Sequence, residues 1–195
     1  LSTKAQLLSK VSGKDLPKAS YILGTHHLAP LSILDSIAGF KQAMNDVEQV
    51  CGEIVMAEMQ APATIQKIQQ TVIMPGDTTL RTLYTAAQYD TLSVKIKKLI
   101  GVDLIDLMNM VKPSFITTQL SVVIAIKAIP GFNPKQQLDG WFQTEAQKQG
   151  KKVTALETID SQINMLFDSQ SLQRQAEQLL ATVNYLKDME QQARK

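Results

Sequence analysis

A chain of 195 residues can bury about two thirds of the surface that its unfolded form exposes, which is enough for one sizeable core and short of needing two domains. Twenty basic against 18 acidic residues leave a formal charge of +2, too little for a general field that attracts nucleic acid. The one cysteine, Cys51, excludes an internal disulfide and a zinc site of several thiolates, and no charge-free run reaches the roughly 18 residues of a membrane span, the longest apolar candidate, 120–129, being interrupted by Lys127.

In chain order, residues 1–17 are polar and lysine-dotted, with Leu7, Leu8 and Val11 as apolar anchors and a turn around Gly13, which predicts a short strand or hairpin arm. The apolar run Tyr21, Ile22, Leu23 stops at Gly24, the pattern of a buried strand ending in a tight turn. Leu31, Ile33, Leu34, Ile37 and Phe40 follow Pro30 with helical spacing, predicting a helix to about Asn45 capped by Ser32. Residues 49–56 predict a second strand that holds Cys51 as a small buried hydrophobe. Residues 61–70 suit a helix, 74–77 a turn, and Thr78 or Thr79 caps a helix carrying Leu80, Leu83 and Tyr84. Helices are expected again over 91–100 and 104–110. Residues 113–128 leave two readings, because Ile116, Val122, Val123, Ile124 and Ile126 are β-branched while the span is long for one strand. A loop at 130–134, a helix over 138–149 stopped by Gly150 and a strand over 152–157 come next. From Thr158 or Asp160 an apolar stripe runs to Met189, with a break near Asp168 and Ser169; it predicts a helix that packs on the core or pairs with another subunit.

His26 and His27 are the only histidines, and they follow the first strand. In open α/β sheets ligands bind outside that end of a strand, and imidazole is both the commonest metal ligand and a proton exchanger near neutral pH. The rival reading is a pair of loop histidines satisfied by backbone groups. If the strands are parallel, His27, Glu53 in the second strand and Glu157 at the end of the third converge at one sheet edge, and the helical connections between them are what parallel strands require. Such a set suits manganese, iron, cobalt or zinc with water on an open position. The ion would make that water a nucleophile near neutral pH, or one carboxylate would stay unligated as a general base. Glu157 reads equally as a carboxylate stabilising the helix that follows it, and Gln162 as its support or as a solvated amide. No glycine-any-serine-any-glycine elbow and no phosphate loop occurs.

Four segments carry a resemblance: ASYILGTHHLAP with its glycine-any-any-histidine at Gly24 to His27, VCGEIVM from Val50, MPGDTTLRTLY from Met74, and GKKVTALETIDSQINMLF from Gly150. In this order they resemble the TraB/GumN family. The resemblance implies a helix-rich α/β fold with a small, mainly parallel sheet and flanking helices, like that of the EreA and ChaN proteins, and it decides 113–128 for helix. It makes His27 the motif histidine and Glu53 the glutamate after the second apolar run. It also implies a bacterial exported protein. Family members carry a second glycine-any-any-histidine toward the C-terminus, but no histidine follows His27 here. The expectation is therefore one incomplete domain over 1–195, with an uncovered apolar edge that a second copy of the chain would cover. By its likeness to the TIKI proteases, the intact protein is expected to be a metal-dependent hydrolase, with peptides as one expected substrate class, with manganese, cobalt or zinc held by His27, Glu53 and Glu157 and with Glu53 or Glu157 in catalysis. The alternative is a non-catalytic module binding a peptide pheromone or haem, with His26, His27 or a tyrosine as the axial ligand.

Overall fold

The computed structural model describes residues 7–186. The elements in chain order are β1 (Leu8–Val11), β2 (Ser20–Leu23), α1 (Phe40–Asp46), β3 (Gln49–Gly52), α2 (Pro62–Thr71), α3 (Leu80–Leu83), α4 (Ala86–Ile100) and α5 (Leu104–Leu107). They continue with α6 (Pro113–Ala128), α7 (Leu138–Lys148), β4 (Lys152–Ala155), α8 (Ile159–Phe167) and α9 (Leu172–Asn184). This is the expected helix-rich α/β architecture with a small parallel sheet. It divides into two compact units, Leu1–Ala57 with Pro130–Glu157 and Glu58–Ile129 with Thr158–Lys195. The end of the long apolar stripe, at Met189, falls outside the described residues.

In the first unit β1 and β2 form the expected hairpin, with Leu8 opposite Leu23 and Val11 opposite Ser20. The helix anticipated from Pro30 to Asn45 is two pieces, a 3-10 helix at Leu31–Ser36 and then α1. Gly39 separates them at φ 77°, a left-handed conformation open to glycine and costly for residues with a Cβ. Pro30 rather than Ser32 stands at the cap of the first piece. β3 and β4 run parallel, Gln49 opposite Lys152 and Gly52 opposite Ala155. Contrary to the expectation of three parallel strands, β2 belongs to a separate sheet, because β1 offers it a local antiparallel ladder without a long crossover. Both parallel strands are shorter than expected, so Glu53 lies in a bend just past β3 and is exposed rather than set inside an apolar strand. Cys51 is exposed too, not buried. β3 alternates, with Val50 and Gly52 turned inward and Gln49 and Cys51 outward, and α7 packs on these strands, so the outward side chains find no cover. Leu34, Phe40, Leu138 and Phe142 form the core of this unit. Phe40, Trp141 and Phe142 meet at centroid distances of 5.5–5.9 Å in tilted and edge-on contacts, the geometry that ring quadrupoles favour.

Among the described residues, the regular structure of the second unit is helical apart from one bridge between Ile73 and Val111. Residues 113–128 are helix: Ile116, Leu120 and Ile124, about one turn apart, are buried on one face, while the β-branched Ile126 is exposed. α6 packs against α9, which buries Ala176, Leu179 and Val183. Thr79 and Thr85 cap α3 and α4 in reciprocal capping boxes, which is why α4 begins ahead of the expected Thr91. The break at Asp168 and Ser169 falls where expected. Asp168 pairs with the buried ammonium of Lys112, Ser171 accepts the Arg174 N–H to start α9, and Gln175 donates to the carbonyls of Phe167 and Gln170 at 3.0 and 2.9 Å. None of the described helices is long and apolar enough to cross a membrane.

Candidate functional site

Within the first unit the chain encloses a cavity of about 530 Å³, in the size range of small-molecule sites. Leu8, Leu23, Phe40, Met44, Val50 and Phe142 contribute apolar wall, and Glu53, Asp139 and Gln143 bring polar groups to it. The cavity adjoins the carboxyl end of β3, where open α/β sheets bind ligands.

Gln143 organises this end of the strand. It is 4% exposed, its Oε1 accepts the Met56 N–H at 2.8 Å and its Nε2 donates to the Ile54 carbonyl at 2.7 Å. The chain leaving β3 is thereby held after the ladder ends, with buried polar groups satisfied as burial demands. Gly52 makes room for this clamp, since a Cβ there would lie 2.5 Å from Gln143 Nε2. Asp139 stands one helical turn before Gln143 in the first turn of α7, where the helix dipole favours a carboxylate. Its Oδ2 lies 3.2 Å from His27 Nδ1, with Asp139 largely buried and His27 exposed.

The sequence-derived residues are distributed as follows. His27, in the loop after β2, is joined through Asp139 to the cavity, and Glu53 lines it. Glu157, exposed just past β4, donates its backbone N–H to the Glu53 carbonyl at 2.8 Å and so continues the parallel ladder beyond the strands. The two glutamates therefore follow adjacent strand ends, although Glu157 is not among the residues of the cavity wall. His26 turns to its own loop, where its Nδ1 accepts the Leu28 N–H at 3.2 Å. Among the described residues no group of three or more histidine, cysteine, aspartate or glutamate side chains is gathered to hold a metal ion. Asp139 and Gln143 escaped the sequence reading. Their one signal was spacing: two polar residues four apart lie on the same helix face as Leu138 and Phe142, which are buried.

No match was found among curated proteins or among solved structures. The model of the TraB/PrgY/gumN family matches residues 7–195, a span that contains all four resembling segments, and the chain belongs to the TraB/PrgY/gumN family.

Proposed function

We propose that the cavity beside β3 is the reacting centre of a hydrolase acting on peptide or related acyl bonds. The observation that carries this reading is the His27–Asp139 pair at a cavity that Glu53 also lines. An ionised carboxylate can only accept, so Asp139 holds the imidazole with its Nδ1–H donated and leaves the Nε2 lone pair available. Nε2 takes a proton from water as the water oxygen attacks the substrate carbonyl, and returns that proton to the leaving group as the acyl bond breaks. Family membership supports the hydrolytic class through the likeness to the TIKI proteases. The divalent ion implied by that likeness does not fit the described residues by themselves, because the expected ligands His27, Glu53 and Glu157 are not gathered with one another as a set. No step is therefore routed through an ion.

The test is turnover of a panel of short apolar peptides and acyl esters, with and without added manganese, cobalt or zinc. His27→Ala is expected to lower kcat/KM by about 10²–10⁴, the range for a positioned proton-transfer group. His26→Ala should change it only a few-fold, because His26 Nδ1 serves its own loop. Absence of turnover under every metal condition, or equal turnover by the His27→Ala variant, would overturn the hydrolase in favour of a binding module.

A further inference from the structure

The charge of the cavity selects its ligand. Among the described residues, two carboxylate side chains, Glu53 and Asp139, stand on the wall, and no lysine or arginine does. Two of the unit's cations are engaged away from these carboxylates: Lys18 pairs with Glu48, and Lys151 donates to the carbonyls of Met44 and Asn45. The His27 imidazole stands beside one of these carboxylates, Asp139. Most of the remaining wall is apolar, with Thr25, Gln49 and Gln143 as neutral polar members, and it includes Ile22 and Leu156, which are 63% and 80% exposed. Large aliphatic side chains held in water at the lip of a cavity mark a place where an apolar body makes contact. Glu53, exposed at the cavity, adds a second negative charge that an entering cation can meet.

We propose that the cavity takes an apolar ligand bearing an ammonium group, with the ammonium received by Glu53 and Asp139 and the hydrocarbon body lying between Phe40, Val50, Phe142 and the lip formed by Ile22 and Leu156. This rests on the reading of the cavity as the reacting centre and names the chemistry of what enters it. The free amino terminus of a short apolar peptide and a simple alkylamine share that chemistry. Ligands whose polar end is a carboxylate, haem with its propionates included, are disfavoured by the same two residues.

Cys51 provides the assay. It is the only cysteine in the sequence, it is exposed, and it lies on the cavity wall, so the rate of its modification by an uncharged maleimide reports occupancy at one position. The probes are octylamine, octanol and octanoate, together with leucyl-leucinamide and its N-acetylated form. Octylamine should slow Cys51 modification with an apparent Kd at least tenfold lower than that of octanoate, octanol falling between them. Leucyl-leucinamide should outperform its acetylated form if the ligand is a peptide terminus; equal protection by the two peptides, with octylamine still preferred, would identify a non-peptide amine. In the double variant Glu53→Gln, Asp139→Asn the preference for the ammonium should collapse to within about twofold, with an unchanged circular dichroism spectrum showing that the fold persists. Glu53→Gln alone, at an exposed position, should remove part of the preference. Equal protection by octylamine and octanoate, a preference for octanoate, or a preference that survives the double variant would overturn the proposal. The readout is occupancy rather than turnover. An ammonium preference without hydrolysis would defeat the hydrolase reading alone, and His27-dependent hydrolysis without that preference would defeat this inference alone.

Discussion

The helical unit and the unit built on β3, β4 and α7 use their apolar side chains in different ways. In the helical unit Leu80, Leu92, Ile96, Ile105, Ile116 and Leu179 are fully buried, and Leu120 almost so. In the other unit the core residues Leu34, Phe40, Leu138 and Phe142 retain 4–8% exposure, and Phe40 and Phe142 form part of the cavity wall. A closed core maximises the area withdrawn from water, whereas an open one leaves apolar surface for a ligand to cover. The polar groups follow the same division. Those of the helical unit are structural, such as Gln175 bridging α8 and α9 and Tyr84 donating to the Ala176 carbonyl at 2.8 Å, where burial raises its phenol well above the usual range. Those at the cavity include His27, Asp139 and Glu53, whose side chains can meet a ligand.

The sharpest way to break this comparison is to open the closed core. Leu120→Ala, at a site 1% exposed, is expected to destabilise the protein by about 3 kcal/mol through lost transfer energy and a residual cavity. Maleimide reactivity of Cys51 under native conditions should stay the same. Urea unfolding followed by circular dichroism measures the first, and a loss below about 1 kcal/mol would show that the helical core can collapse around the gap. Gly52→Ala tests the open unit with a smaller effect. Its Cβ would force Gln143 from its place between Met56 N–H and Ile54 C=O, at a cost of about 1–3 kcal/mol from overpacking and a strained hydrogen-bond pair. Because Gln143 also lines the cavity, this change should alter the Cys51 modification rate as well as the unfolding midpoint; an unaltered rate would separate the clamp from the cavity.

The smallest effect is electrostatic and lies in the helical unit. The Arg81 guanidinium, hydrogen-bonded to Asp106 at 2.7 Å, and then the Tyr89 phenol hold the Asp106 carboxyl below its ordinary value of 3.8. A carboxyl lowered by folding contributes stability that is fully present above the unfolded value and is lost as pH falls through the folded one. The advantage of the wild type over Asp106→Asn should therefore be small but constant from pH 7 to about 5, and should fade below pH 3.8. Urea midpoints across that range measure it, and an advantage that grows on acidification would contradict the assignment. The pair is exposed, so added salt should weaken it.

Much of the helical unit was legible from local signals. Thr79 and Thr158 act at helix ends as expected, as Gly150 does after α7 in the other unit, and the break before α9 falls at Asp168. Such signals are local because a cap satisfies backbone groups within a few residues of itself. The boundaries that escaped involve alternatives of similar local appearance. The spacing from Leu31 to Phe40 fits a continuous helix, yet Gly39 adopts a left-handed turn inside it. Cys51 sits among apolar residues, but strand alternation turns it outward. Of the site, the sequence placed His27 after the first strand, as it is, but set Glu53 within the second and Glu157 at the end of the third, whereas both lie past strands that end at Gly52 and Ala155.

Composition, the order of elements, most helix caps and family membership were thus determined by the sequence itself, since each depends on short-range chemistry or on motifs contiguous in the chain. Only the tertiary structure decided that β2 pairs with β1 instead of β3, that β3 and β4 end early enough to leave Glu53 and Glu157 beyond the ladder, and that Asp139 reaches His27. These are contacts between residues far apart in the chain: 112 positions separate His27 from Asp139, and 91 separate Gly52 from Gln143. No local propensity encodes such a pairing. It arises when α7 docks on the parallel strands to bury Leu138 and Phe142, and the polar residues on the same turns are carried with them.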